Sequence, residues 1–297
     1  PWLYTLLLSS RTSSFMGFLN YDARFMTVFQ DTHRLMARLG IDPDEIYGDL
    51  HQYNTYRKAF ERKICYWQCR PMSEEASCVV SPADARALPG SFKTGQPLFI
   101  KDKFFDYDEL IGIDRPKWKK AFREGDFIIC RLTPDKYHYN HVPVSGTVVD
   151  IYEINGRYHS CNPGAVVKSV TPYSKNRRIV TVIDTDVENG TGIGLVAMVE
   201  IVAMMIGRIV QCYSGIRYES PQTLQKGTQL IKGQPKSLFR PGSSTTVLIF
   251  QHNRIQFSQD LLANAERTNV QSRFTSGFQK PLVETEITVR QTIGEAI

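Results

Sequence analysis

Two patterns of apolar residues divide the chain. Before about residue 76 they recur at helical steps; after it they gather in short β-branched runs punctuated by turns. From Phe15 to Leu39 the apolar residues Phe15, Phe18, Leu19, Met26 and Phe29 follow three-, four- and seven-residue steps, and Gly40 can end the segment, so a helix is predicted there. Arg11, Arg24, Arg34 and Arg38 accompany it; such a helix either packs on a core or lies on a membrane interface. Asp42-Pro43-Asp44-Glu45 carries the Pro and the acids of a helix start, and a further helix is predicted over Thr55 to Ile64.

The second part predicts strands at Cys78–Val80, Pro97–Phe105, Asp126–Leu132, Val142–Tyr152, Ile179–Asp184, Leu195–Met204, Arg208–Tyr213 and Thr245–Gln251. The stretch from Val196 to Met205 is apolar enough to suit a helix, and its β-rich neighbours favour a strand. Asp106–Ile111 and Phe257–Arg267 read as helices, Tyr218–Gln234 as loops, and the residues beyond Thr268 as an extension or packing arm. The fold class expected is α+β: N-terminal helices over residues 1–75, a β-rich, sandwich- or barrel-like catalytic core over 76–260, and a C-terminal extension over 261–297.

Composition narrows this little. A chain of 297 residues with 42% hydrophobic content can bury one large core or two small ones. A net charge of +6 suits an anionic surface such as acidic phospholipid or nucleic acid, and an ordinary basic soluble protein has the same balance. The start at Pro1 reads as a trimmed or processed terminus. No run reaches the ~18 apolar residues of a membrane span; Leu3-Tyr4-Thr5-Leu6-Leu7-Leu8 is too short and has no charged start ahead of it, so no secretory signal is read. Cys65 and Cys69 could meet on one helix face, but no second pair with zinc-ligand spacing follows. The six cysteines therefore read as free thiols in a reducing compartment.

Three short stretches carry chemistry. Val80-Ser81-Pro82-Ala83-Asp84 ends on an acid, and Tyr137-His138-Tyr139-Asn140-His141-Val142-Pro143 holds two histidines three apart. Phe239-Arg240-Pro241-Gly242-Ser243-Ser244 turns into the apolar strand that follows. Each is ordinary alone. Asp84 after Ser-Pro is a common turn acid, a glycine–serine corner is a common loop, and two histidines make a metal site only with further ligands, none of which lies nearby in sequence. Their order is distinctive. An Asp, a His and a Ser in that sequence, with the Ser after a Gly, resembles the phosphatidylserine decarboxylase family.

The resemblance covers most of residues 50–260. Tyr56-Arg57-Lys58-Ala59-Phe60-Glu61-Arg62 is similar to the family's N-terminal signature of two aromatics followed by x-Arg, with Ala59 in the first aromatic place. Lys101-Asp102-Lys103-Phe104-Phe105-Asp106, Leu132 to Pro143, Ser160-Cys161-Asn162-Pro163 and Asn176-Arg177 also fall in family places. Departures are Ala85 and Asp102 where the family usually has Gly, Tyr139 where Arg often stands, and Ser244 in place of Thr.

The resemblance implies that Ser243 attacks the Gly242 carbonyl carbon and turns the peptide bond into an ester. Elimination then leaves dehydroalanine at 243, and hydrolysis releases ammonia and leaves a pyruvoyl group. The products would be a β chain ending at Gly242 and an α chain of residues 243–297. His141 takes the proton in this scheme, Asp84 orients His141, and His138 assists decarboxylation or protonation. Gly242 suits the distorted peptide because it lacks a Cβ. The implied cofactor is the pyruvoyl group alone, with neither pyridoxal phosphate nor metal; its ketone would draw off the electrons left by departing CO2.

The implied enzyme is a carboxy-lyase converting phosphatidylserine to phosphatidylethanolamine. It would be peripheral to an anionic membrane surface, on the cytoplasmic face, with a homodimer left open and no nucleic-acid partner. Decarboxylation of a free amino acid, perhaps aromatic, by the same chemistry and a non-catalytic lipid-binding homologue are the alternatives.

Overall fold

The computed structural model describes residues 31–93, 104–168, 171–203, 208–242 and 244–297. The stretches from Leu3 to Leu8 and over residues 15–30, and most of the strand predicted from Pro97 to Phe105, lie outside the described residues. What remains of the first predicted helix is α1 (Thr32–Leu39), capped by the Asp31 carboxylate and ended by Gly40. Asp42 caps a short 3-10 turn over Pro43–Glu45. The helix expected over Thr55 to Ile64 ends earlier, as α2 (Tyr56–Phe60), and α3 (Tyr66–Cys69) follows.

The core is built on one antiparallel sheet of eight strands. Its strands in chain order are β2 (Ala85–Ser91), β3 (Asp126–Leu132), β5 (Gly146–Ile154), β6 (Arg178–Asp184), β7 (Leu195–Val202), β9 (Gln229–Leu230), β11 (Ser244–Phe250) and β13 (Thr285–Ile287), and in space they run β13-β2-β3-β11-β7-β6-β5-β9. The remaining six make two three-stranded sheets. One is β1 (Cys78–Val80), β14 (Thr292–Ala296) and β12 (Ile255–Phe257); the other is β4 (Tyr139–His141), β10 (Pro235–Phe239) and β8 (Ile209–Gln211). The edge strands β13 and β9 do not pair with each other, so the eight-stranded sheet is open and no closed barrel forms.

Alternation along the central strands explains why they read as continuous apolar runs. Val247 and Ile249 of β11, Val199 and Ile201 of β7, and Phe127 and Ile129 of β3 enter one core. Leu248 and Phe250, Val196 and Met198, and Ile128 and Cys130 enter a second core on the other face. Helices cover the first face: α4 (Tyr107–Ile111), α5 (Pro116–Ala121), α6 (Pro163–Lys168), α7 (Pro172–Lys175), α8 (Gln259–Ala265) and α9 (Arg273–Phe278). Leu110, Trp118, Val166, Tyr173, Ala265 and Phe274 are their contributions to it. The second face is covered by the two small sheets, through Phe239, Val79, Ile255 and Ile293. The arrangement is α+β, with helices on one side of the sheet and strands on the other.

Strand β2 escapes a sequence reading because it contains Pro89 and Gly90. The edge strand β13 pairs only with Ala85–Ala87, so the missing N–H of Pro89 breaks no ladder. A Cβ at Gly90 would lie 2.3 Å from the Phe127 ring, so only glycine fits beneath it. The strand expected over Val142–Tyr152 begins at Gly146, and three residues ahead of it, Tyr139–His141, form a separate strand in another sheet. The chain after residue 260 returns to the body: β13 pairs with β2, and β14 lies between β1 and β12.

Candidate active site

Both histidines are fixed by β4 and the turn before it. Strand β10 pairs with β4 so that Pro235 faces His141, Ser237 faces Asn140 and Leu238 faces Tyr139, and the Phe239 N–H donates to the His138 carbonyl at 3.1 Å. His138 therefore lies beside the end of β10 that leads to Gly242, and His141 beside its start.

The two rings differ in what they have left to offer. His138 is 0% exposed, and its Nδ1 lies 2.7 Å from the Lys136 carbonyl oxygen. A carbonyl only accepts, so Nδ1 carries the hydrogen and Nε2 presents a bare lone pair. That Nε2 is buried and has no hydrogen-bond partner among the described residues. The ring stacks on Phe60, with centroids 3.6 Å apart and planes 29° apart. Burial first, and then the Arg62 charge, push its pKa from 6.5 down to about 3, against the pull of the Lys136 carbonyl and Asp135. The imidazole is neutral at pH 7.

His141 is also 0% exposed, but both its nitrogens are engaged. Nδ1 donates to the Gly233 carbonyl at 2.8 Å, so Nε2 accepts from the Tyr137 hydroxyl at 2.9 Å. Tyr137 lies 2.7 Å from the Tyr218 hydroxyl, which is held between the carbonyl and the N–H of Ile64 at 2.9 and 3.1 Å. Burial holds both phenols well above their usual pKa of 10. Burial also lowers the pKa of His141 to about 3.

Asp84 is close to this histidine without bonding to it. The His141 N–H donates to the Pro82 carbonyl at 2.7 Å, and the Asp84 charge favours the protonated ring. The carboxylate itself is taken by Arg70, at 3.2 Å from Nε and 2.9 Å from Nη2, and by the Val289 N–H at 2.7 Å. The Asp84–His141 hydrogen bond expected from the sequence is therefore absent from this structure. A bidentate guanidinium is the stronger partner for the carboxylate, and the Gly233 carbonyl fixes the tautomer of His141 in its place.

The third expected partner, Ser243, lies outside the described residues. Its neighbours are described. Gly242 has φ 147°, a backbone angle that residues with a Cβ rarely adopt. Ser244 opens β11 opposite Leu132 and Val202, and its hydroxyl is buried without a partner among the described residues. The strand register thus sets Asn140 and His141 on β4 and His138 in the turn just before it, beside β10, with Asp84 alongside. Phe60, Arg62, Arg70, Tyr137, Tyr218 and Gly233 complete the site. Of these, Phe60, Arg62 and Tyr137 lay in stretches that carried a signal in the sequence; Arg70, Tyr218 and Gly233 did not.

Among the described residues no group of three His, Cys, Asp or Glu is arranged to hold a metal ion. All six cysteines are free thiols. A cleft of about 470 Å³ lined by Ser91, Asp126, His252 and Phe257 lies away from His138 and His141, at the end of the sheet where Phe250 faces Asp126. Its position at the far end of β11 from Ser244 sets it apart from the site described here.

Residues 57–275 match the family model for phosphatidylserine decarboxylase. A phosphatidylserine decarboxylase proenzyme 2 of Oryza sativa subsp. japonica is 31% identical over 249 residues, which are 82% of this chain and 36% of that protein. Phosphatidylserine decarboxylase proenzymes of Fusobacterium nucleatum and Chlamydia trachomatis are 28% and 29% identical over 243 and 265 residues. Those alignments cover 82% and 88% of this chain and 74% and 80% of the bacterial proteins. The chain thus spans about a third of the rice relative and about three quarters of the bacterial ones.

Proposed function

The chain belongs to the phosphatidylserine decarboxylase family, and from that premise we propose that it is a carboxy-lyase that cuts itself between Gly242 and Ser243. It then releases CO2 from phosphatidylserine to give phosphatidylethanolamine. In the cut, the Ser243 hydroxyl oxygen bonds to the Gly242 carbonyl carbon as that carbon's bond to the Ser243 nitrogen breaks, and a base passes the hydroxyl proton to the freed amine. Loss of the Ser243 Cα proton then expels the Gly242 carboxylate from Cβ and severs the chain, and water releases the nitrogen as ammonia to leave the pyruvoyl group. The observation that carries the reading is the buried, neutral His138 with an unbonded Nε2, tied through its backbone to the strand that ends just before Gly242.

Among the two histidines, His138 is the one we assign to proton exchange. For His141 to accept a proton from serine, its bond from Tyr137 has to open first. His141 and Asp84 hold the frame: one ties β4 to Gly233 and Tyr137, and the other ties Arg70 to the chain at Val289.

The orphaned His138 Nε2 and Ser244 hydroxyl are buried polar atoms that suit a polar group placed beside Gly242, and a pyruvoyl group formed from Ser243 fits that description. When formed, that group supplies the carbonyl that takes up the electron pair released by CO2. His138 then holds or returns the proton that the product carbon needs, and the Phe60 ring stacked on it excludes water from that side.

Among the described residues no helix is long and apolar enough to cross a membrane. With a net charge of +6 the protein would meet its lipid at an anionic surface, as a peripheral protein.

The test is a denaturing gel with intact mass. The unaltered chain is expected as two fragments divided at 242/243, with a blocked N-terminus on the second, and Ser243→Ala as one uncut, inactive chain. A cut and active Ser243→Ala protein would end the proposal. Turnover of phosphatidylserine in vesicles, beside a panel of free amino acids, then tests the substrate.

A further inference from the structure

The loop between β8 and β9 has no part in the reaction as written so far, yet it borders the site. Residues 214–220 form a built turn. The Ser214 hydroxyl lies 2.9 and 2.6 Å from the carbonyl oxygens of Ile216 and Glu219, and the Glu219 N–H donates to the Ile216 carbonyl at 3.0 Å. Arg217 takes φ 53°, and its N–H donates to the Gln234 side chain at 3.1 Å. This scaffold holds Ile216 in water, 66% exposed. Ile231, 51% exposed, reaches back to the same turn, since a Cβ at Gly215 would meet its Cδ1 at 3.9 Å.

Aromatic rings floor the patch. The Arg217 guanidinium lies 4.2 Å from the centre of the Trp67 ring. Trp67 meets Tyr47 edge-on at 5.3 Å, Tyr47 lies against Tyr218 at 5.7 Å, and the Lys63 ammonium is 5.0 Å from the centre of the Tyr218 ring. Among the described residues each of these two cations meets a ring and forms no ion pair with a carboxylate. The turn's one acid, Glu219, is exposed and pairs with neither. A lone exposed isoleucine is ordinary, but here two of them share one surface with an indole, a phenol and two cations. Tyr218 is the inner wall of that surface: its hydroxyl lies 2.7 Å from that of Tyr137, which donates to His141.

We propose that this face, Ile216 and Ile231 with Arg217, Lys63, Trp67 and Tyr47, docks on an anionic phospholipid bilayer. The isoleucines enter the acyl layer, the Trp67 and Tyr47 rings sit where hydrocarbon meets headgroups, and the two cations meet lipid phosphates. Charge favours a lipid over a protein: the cations have no acidic partner within the patch, and the whole chain carries +6. The inference deepens the proposed function, on which it rests for its choice of a lipid partner. It adds which side of the molecule faces the bilayer, and it sets the wall of the site at Tyr218 next to the headgroups.

The experiment sediments the full chain with vesicles of phosphatidylcholine, with and without phosphatidylglycerol, an anionic lipid that the proposed reaction does not consume. Ile216→Asp combined with Ile231→Asp is compared with Ile113→Asp, which alters an isoleucine 71% exposed between α4 and α5, on the helical face of the sheet. The double variant is expected to bind anionic vesicles about tenfold more weakly, and Ile113→Asp to bind as the unaltered chain does. Arg217→Gln is expected to weaken binding about fivefold on anionic vesicles and to change nothing on phosphatidylcholine alone. Turnover of phosphatidylserine in vesicles is expected to fall with binding, while detergent-dispersed phosphatidylserine is turned over at the unaltered rate. A photo-crosslinking amino acid placed at 216 is expected to attach to lipid.

Equal binding by the double variant and Ile113→Asp would overturn the proposal. So would an unaltered chain that binds no vesicle, or a cross-link from 216 to a second copy or to another part of the same chain in place of lipid. Melting curves identify a variant that fails to fold, and Arg217→Gln and the cross-link then decide. A chain that binds in the expected pattern but neither cuts itself nor turns over phosphatidylserine would count against the proposed function and leave the docking face standing.

Discussion

Two buried polar clusters lie side by side beneath the small β8-β10-β4 sheet, and only one of them is complete. In the first, the Glu200 carboxylate accepts from Lys236 at 2.6 Å, Gln211 at 2.9 Å, Asn140 at 3.2 Å and the Ser237 hydroxyl. Gln211 also accepts from Lys236, and Thr246 donates to Asn140 at 2.8 Å. Glu200 and Lys236 are both 0% exposed, and none of their polar atoms is without a partner. In the second cluster, His138, two residues before Asn140, is as deeply buried but keeps an unbonded nitrogen, and Ser244 of β11 an unbonded hydroxyl. A buried charge survives folding when every donor and acceptor around it is matched. An orphaned atom at the same depth lowers stability, and its persistence beside a complete network points to use by a reaction.

That contrast can be broken first at the histidine. His138→Gln is expected to lower cutting and turnover about 10²- to 10⁴-fold, the usual contribution of a positioned acid–base group, with little loss of melting temperature. An equal loss of stability and activity would make His138 a packing residue.

The complete cluster should behave in the opposite way. Glu200→Ala strands the Lys236 ammonium and is expected to destabilise the fold by about 3–5 kcal/mol in urea unfolding. Glu200→Gln combined with Lys236→Met is expected to recover part of that loss, since both buried charges go together. A double variant no more stable than Glu200→Ala would refute the coupling.

Acid sharpens the comparison further. His138 and His141 have pKa values of about 3 in the fold, against 6.5 when unperturbed, so below pH 6.5 the unfolded chain binds protons that the folded one refuses. Stability from these rings is full above pH 6.5 and falls as the pH drops toward 3, by about 1.4 kcal/mol per pH unit for each histidine. Replacing either ring with an apolar residue is expected to flatten the slope of unfolding free energy against pH by that amount. The smallest effect is expected from Thr246→Val, which leaves the Asn140 oxygen unpaired, at about 1–3 kcal/mol in the same urea measurement.

Much of the scaffold could be read locally. The run after Ser244 is a central strand because its alternate residues are both apolar, and the stretch from Val196 is a strand because it pairs with β11 along its full length. The short helix at Tyr107–Ile111 and the end of α1 at Gly40 also follow from nearby residues. What was not legible depends on partners far away in the chain. Asp84 meets Val289 across 205 residues, and His141 meets Gly233 across 92. No period or spacing encodes such contacts. The same distance hides the Phe60 ring over His138; Arg70 is only 14 residues from Asp84 but stood in no recognisable motif, and its guanidinium takes the carboxylate expected to meet His141.

The connectivity of the sheets has a last consequence for a molecule opened at Gly242. The portion that follows contains β11, with seven residues paired to β3 on one flank and seven paired to β7 on the other, and it also carries β12, β13 and β14. Neither piece could keep its shape alone, because each supplies strands to the interior of the other. Severing the backbone would therefore yield two polypeptides but a single particle, interleaved through two of the three sheets and separable only by unfolding. Its integrity would then rest on side-by-side pairing, with no covalent link required.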